Sequence, residues 1–241
     1  VFFVIFYESY KYGLNFIMFF IFNIIIGNLH KNKCRYSLSF ADIFLFFLGG
    51  TLWVSTRQKN LPLNISDGFI ITTMFWVVLA CAGSIPFYFF GLSIGDSIFE
   101  SVSGITTTGA TTIIGLDTLP KSILLYRQLL QWIGGMGLII LAVAVMPALG
   151  IGGGQLYKME LPGSHGNQKL TPKITDSAKA LWKIYVGLTV LCATLYLISG
   201  MSLFDSIAHS LSTVAGGGFS THDDSIGFFE SGLIETVCLG F

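Results

Sequence analysis

The sequence predicts an all-α integral membrane protein built from repeated helix–polar segment–helix units. Three observations predict it. Only 11% of the 241 residues are charged and 53% are hydrophobic, whereas a soluble domain carries roughly 25% charged residues. The apolar residues gather into stretches close to the roughly 20 residues that a bilayer-spanning helix needs. The chain also matches itself when it is displaced by 109 residues, which carries Gly91 onto Gly200.

The stretches are taken in chain order. Residues 13–29 and 39–55 form two apolar runs. Residues 69–90 form a third, which closes on Pro86 and the aromatic run Phe87-Tyr88-Phe89-Phe90, a composition suited to the lipid–water interface. A fourth covers 123–149, and its Arg127 and Gln128 are expected to keep its first turn at the interface. A fifth covers 179–200, and 231–241 begins a sixth. The chain starts at Val1 and stops at Phe241 inside an apolar run, so a fragment is expected. No basic segment precedes the first apolar run, so no cleavable signal peptide is expected.

Lys+Arg and Asp+Glu both number 13, which gives no case for nucleic acid as a partner. Cys34, Cys81, Cys192 and Cys238 make no CxxC pair, and the last three sit in apolar runs. They read as small buried hydrophobes rather than as a disulfide or zinc framework.

The 109-residue displacement gives nine identities over 91–112 and 200–221, without a gap, where composition alone gives about one. Ser93 falls on Ser202, Asp96-Ser97-Ile98 on Asp205-Ser206-Ile207, Ser103 on Ser212, Gly109 on Gly218 and Thr112 on Thr221. Each copy follows an apolar helix and is too polar to span. Non-helical backbone is tolerated at membrane depth only where protein or a water-filled cavity surrounds it, so these segments are expected to be re-entrant. Ser97-Ile98-Phe99-Glu100 has a capping-box pattern, which predicts a short helix from near Asp96 to about Gly104. Its C-terminal end, the negative end of its dipole, favours a cation. That end abuts Thr106-Thr107-Thr108-Gly109-Ala110-Thr111, whose carbonyls can replace a cation's hydration shell. The second copy supplies a helix over 205–214 and then Ala215-Gly216-Gly217-Gly218-Phe219-Ser220.

These residues resemble a known family. The stretches SVSGITTTGATTIIGLDTLP, YRQLLQWIGGMGLIILAVAVMPALGIGGGQLYKMELPG and FDSIAHSLSTVAGGGFSTHDDSIGFF are similar to the Trk-type potassium uptake membrane subunit (TrkH family), within the larger Trk/Ktr/HKT group. The likeness covers about 40–241. It implies repeated helix–pore-loop–helix units of a potassium-channel-like pore, four in the family, preceded by two extra helices. This chain then holds about the first two of four. Residues 1–68 would be the two extra helices and a linker, 69–150 the first repeat, 151–177 a cytoplasmic loop, and 178–241 a second repeat truncated in its last helix.

The resemblance implies a selectivity filter at Thr107, Thr108, Gly109, Ala110 and Thr111, and at Gly216, Gly217, Gly218, Phe219 and Ser220, with Gly109 and Gly218 as the filter glycines. Gly216 departs from the pattern, since family members usually carry a larger residue there. The resemblance further implies a homodimer, a cytosolic nucleotide-binding regulatory subunit and a multi-pass place in the bacterial inner membrane. Potassium is the expected substrate, with no other metal, no cofactor and no catalytic residue. With two of four repeats, the chain is not expected to conduct alone.

Charge supports one topology. Residues 91–123 and 201–230 carry Asp96, Glu100, Asp117, Asp205, Asp223, Asp224 and Glu230 against Lys121. Arg57, Lys59, Lys158, Lys169, Lys173, Lys179 and Lys183 fall on the other side, which the positive-inside rule makes cytoplasmic. An acidic outer vestibule would then concentrate cations. Lys31, Lys33 and Arg35 dissent and leave the first helix unplaced.

Other residues have simpler readings. His209, the counterpart of Glu100, reads as a hydrogen-bonding support for its short helix. His222-Asp223-Asp224 reads as the filter's outer mouth rather than a metal site. Gly134-Gly135-Met136-Gly137 reads as a close-packing stripe, with a hinge as the alternative. Gly150 to Gly154 reads as a turn, because no Lys-Ser/Thr follows it to make a phosphate loop. Two rivals remain: a sodium-coupled or sodium-permeable transporter of the same group, and an intramembrane enzyme that would need a serine in hydrogen-bond reach of His209.

Overall fold

In the computed structural model, residues 65–148 and 170–241 are described. The expected spans 13–29 and 39–55, the basic residues at 31–35 and the Gly150–Gly154 turn lie outside them. The elements among the described residues are all helices, with no strand. Helix α1 is Ile65–Phe90, α2 is Ile94–Ile105, α3 is Lys121–Ala148, α4 is Leu170–Ile198, α5 is Leu203–Ala215 and α6 is Gly232–Gly240. Single 3-10 turns at Leu116–Thr118 and Ser225–Phe229 follow the two polar segments.

The 109-residue repeat is a repeat of structure. Helix α1 stops at Gly91, which has φ +120°, and the Leu92 amide reaches back to the Phe87 carbonyl at 3.2 Å. Helix α4 stops at Gly200, with φ +105°, and the Met201 amide reaches the Tyr196 carbonyl at 3.1 Å. Both ends use the glycine-closed helix terminus that a positive φ permits. The chain then turns straight into a short helix. Helix α2 packs against α1 and α3, and α5 packs against α3 and α4.

Small residues set these approaches. A Cβ on Gly134 would stand 1.9 Å from the Ile105 carbonyl oxygen, so only glycine lets α3 touch the end of α2. A Cβ on Gly135 would meet Ala215 at the end of α5. The glycine stripe is therefore a packing device, as its sequence suggests. The core between the repeats contains Phe87, Ile105, Ile123, Tyr126, Leu130, Ala208 and Leu211. A second core of Cys192, Tyr196, Met201 and Ile234 joins α4 to α6.

Three expectations need correction. Helix α4 begins at Leu170, so 170–177 continue the helix rather than belonging to a loop. Arg127 and Gln128 are wholly buried inside the protein rather than facing lipid headgroups. Cys81 is exposed, although Cys192 is buried as expected. Among the described residues, Lys179–Ile198 is long and apolar enough to cross a bilayer, and Trp76–Phe90 is a shorter apolar helix. Val77, Val78, Ile184, Leu188, Val190 and Leu191 point outward from these two helices. Charged Glu100 and Arg127 lie inside, which inverts the usual soluble pattern.

Candidate functional site

Each short helix is aimed by its cap. The Ser93 hydroxyl accepts from the Asp96 amide at 3.1 Å and donates to the Asp96 carboxylate at 2.6 Å. Ser202 and Asp205 repeat this at 3.2 and 2.7 Å. The helix therefore starts at Ile94, earlier than the Ser97–Glu100 pattern predicts. That capping box is not formed. Ser97 donates back to the Ser93 carbonyl at 2.7 Å, and Glu100 is buried behind the following segment. The S-x-x-D cap one turn upstream satisfies the helix start and leaves Glu100 for other work.

The two helices end on matching backbone. The amides of Thr107 and Thr108 bond back to Gly104 and Ser103 at 3.0 and 2.9 Å, and those of Gly216 and Gly217 bond back to Thr213 and Ser212 at 2.9 Å each. Left-handed φ then recurs at alternate positions, +56° at Thr107 and +78° at Gly109, +66° at Gly216 and +79° at Gly218. Thr107 holds that geometry with a β-branched side chain, a costly placement. Gly216 holds it freely. The two segments touch: a Cβ on Gly109 would stand 2.0 Å from the Gly217 carbonyl oxygen.

Both segments are tethered from behind by the residue at the same repeat position. A Glu100 carboxylate oxygen accepts from the Thr111 hydroxyl at 2.5 Å and the Thr112 amide at 2.7 Å. His209 Nδ1 lies 3.0 Å from the Asp205 carbonyl and so carries the proton, leaving Nε2 to accept from the Ser220 hydroxyl at 3.0 Å. His209 thus supports the segment as expected. It does have a serine in reach, but that serine's oxygen also accepts the His222 amide at 3.0 Å. The serine is held as a backbone tether.

Arg127 and Gln131, one turn apart on α3, are the residues that sequence reasoning missed. Arg127 Nε donates to Glu100 at 3.1 Å, its Nη1 donates to the Ser220 carbonyl at 3.3 Å, and its guanidinium lies 4.2 Å from the Phe219 ring centre. One side chain therefore bridges the two segments. Gln131 Oε1 accepts from the Phe219 amide at 3.1 Å, and its amide group leaves no room for a side chain at Gly217. An arginine inside an otherwise spanning stretch was the available signal.

Above the segments, the loops clasp. An Asp223 carboxylate oxygen accepts from the amides of Gly115 and Leu116 at 3.0 Å each. His222 meets Asp117 at 2.5 Å and stacks on Phe228, with ring centres 3.6 Å apart. The hydrogen bond from His222 is the main reason the Asp117 carboxyl lies below the ordinary carboxylate range. His222 and Asp223 are thus engaged in joining two loops, and no group of three or more His, Cys, Asp or Glu side chains is placed to hold a metal ion among the described residues. The vestibule reading loses Glu100, which is buried and paired with Arg127.

Short helices that end inside the protein on matched glycine-bearing segments, each preceded by a long apolar helix, define a protein of helix–pore-loop–helix repeats. The chain belongs to the TrkH cation transport protein family, whose model matches residues 37–241. It is 52% identical over 200 residues to the Trk system potassium uptake protein TrkH of Vibrio parahaemolyticus, covering 82% of this chain and 41% of that protein. It is 43% identical over 220 residues to the Trk system potassium uptake protein TrkG of Escherichia coli K12, covering 90% and 45%. The crystal structure of the potassium transporter TrkH from Vibrio parahaemolyticus superposes with a TM-score of 0.78 at 42% identity, covering 94% of this chain and 47% of that one. The chain spans less than half the length of these relatives. Fold class and family are therefore as the sequence predicts, and the relatives are named as transport proteins rather than enzymes.

Proposed function

We propose that this chain supplies the first two repeats of a potassium uptake pore, in which Thr107–Thr111 and Gly216–Ser220 contribute backbone oxygens to a central filter. One observation carries the reading. Two segments 109 residues apart hold left-handed φ at the same two positions, each at the C-terminal end of a half-bilayer helix. Alternating left-handed residues let successive carbonyls face one way, and a ring of carbonyls substitutes for a cation's water. The work is dehydration and translocation, with no covalent step and no cofactor. Asp117, Asp223 and Asp224 on the loops beyond the filter favour cations at its entrance. The family resemblance supports a place in the bacterial inner membrane with those loops outside, assembly as a homodimer, and control by a cytosolic nucleotide-binding subunit.

The test is flux. The full-length protein carrying this sequence is expressed in a host without potassium uptake, and rubidium and sodium influx are measured separately. Rubidium influx well above that of sodium is expected. Equal influx would favour a sodium-permeable transporter, and influx no higher than in the empty host would refute transport.

A further inference from the structure

The outer end of each candidate filter segment holds a carbonyl that is engaged by the protein itself. Ser103, buried on α2, donates its hydroxyl to the Ala110 carbonyl at 2.5 Å. Ser212, buried on α5, has the Phe219 carbonyl as its nearer acceptor at 2.8 Å and the His209 carbonyl of its own helix as a longer one at 3.2 Å. These are the same contact in the two repeats, since Ser103 falls on Ser212 and Ala110 on Phe219 under the 109-residue displacement. Both donors stand behind the segment, on the helix that precedes it. In the second repeat the next carbonyl, that of Ser220, is also taken, by Arg127 at 3.3 Å. Among the described residues no donor reaches the carbonyls of Gly109 or Gly218, one residue before the engaged ones.

A carbonyl that accepts a hydrogen bond from a serine hydroxyl has its oxygen drawn toward the helix and part of its electron density committed there. It is then a poorer ligand for a cation on the other side of the chain. Selectivity in a carbonyl filter depends on the number and field strength of the coordinating oxygens. We propose that Ser103 and Ser212 are specificity-determining positioning residues. Each withdraws one carbonyl, so that in these two repeats the filter ends one coordination layer short at its outer end, and this limits discrimination between potassium and sodium.

The proposal rests on the filter reading above, and its test separates the two. Ser103→Ala, Ser212→Ala and the double variant are made in the full-length transporter, and the ratio of rubidium to sodium uptake is measured. One neutral hydrogen bond exchanged for ion coordination is expected to raise the ratio roughly threefold to tenfold in each single variant, and further in the double. Ser103→Cys and Ser212→Cys keep the shape with a weaker donor and are expected to fall between serine and alanine. That graded response distinguishes carbonyl control from simple packing. A ratio within about twofold of wild type in variants that accumulate normally would overturn the proposal. So would failure of both the alanine and the cysteine variants to accumulate, because the hydroxyls would then be needed for folding itself. Absence of selective uptake in the wild-type protein would instead reject the filter reading.

Discussion

Replacing Arg127 by Met tests how the two filter segments are held together. The side chain is wholly buried, and its loss removes the 3.1 Å ion pair to Glu100, the 3.3 Å hydrogen bond to the Ser220 carbonyl and the contact 4.2 Å from the Phe219 ring centre. Methionine fills much of the volume, so the main consequence is electrostatic: the buried Glu100 loses its ion-pair partner and keeps only Thr111 and Thr112 as donors. Breaking a buried pair by removing one partner costs about 3–5 kcal/mol. The contact over Phe219 is worth about 2 kcal/mol when desolvated, and it overlaps with the first figure rather than adding to it. Equilibrium unfolding of the full-length protein in mixed micelles is therefore expected to show a loss of about 3–5 kcal/mol for Arg127→Met. Adding Glu100→Gln removes the stranded charge while keeping an acceptor for Thr111 and Thr112. The double variant should recover a substantial part of the loss. A loss below about 1 kcal/mol, the scale of an exposed pair, would refute the reasoning, as would a double variant no more stable than the single one.

The remaining predictions concern the loops. Single cysteines at Asp117 and Asp224, in a background without native thiols, are expected to react with an impermeant thiol reagent added outside the cell. Labelling only after lysis would reverse the topology. The hydrogen bond from His222 holds the Asp117 carboxyl below its ordinary value of 3.8. A depressed folded-state value means that its contribution is present above pH 3.8 and is lost as pH falls through the lower folded value. Protection against hydrogen exchange across 113–118, taken relative to the intrinsic rate at each pH, should thus fall as the carboxylate is protonated, and Asp117→Asn should flatten that limb while lowering protection at neutral pH. An unchanged profile in Asp117→Asn would show that the clasp does not depend on this carboxylate.

The features legible in the sequence were those written in local pattern. Apolar length marked α1, α3 and α4, and the self-match over 91–112 and 200–221 located both short helices and the segments after them. Gly134 was legible because a small-residue stripe in an apolar run has a packing meaning. The start of α2 was misplaced because two capping patterns compete, and only the fold shows that Glu100 faces inward. Arg127 was misread for a related reason. Alone, an arginine near a helix end suggests an interface, and its partners lie 27 positions upstream at Glu100 and 93 downstream at Ser220. Position 127 corresponds to Thr236 in the second repeat, and Glu100 to His209, so the self-match could not flag an ion pair present in one copy. The Asp223 bonds to Gly115 and Leu116 also join segments more than 100 positions apart, which no window along the chain can contain.

The claim that these two segments form an ion filter is tested most directly at Gly109. This residue combines φ +78° with a Cβ position 2.0 Å from the Gly217 carbonyl oxygen. A serine there must abandon the left-handed backbone or push the second segment aside. Rubidium and sodium uptake by the full-length transporter is measured for wild type and Gly109→Ser at matched expression. The account predicts that Gly109→Ser abolishes uptake or lowers the rubidium-to-sodium ratio about tenfold or more. Wild-type uptake with an unchanged ratio would place the filter elsewhere and contradict the account.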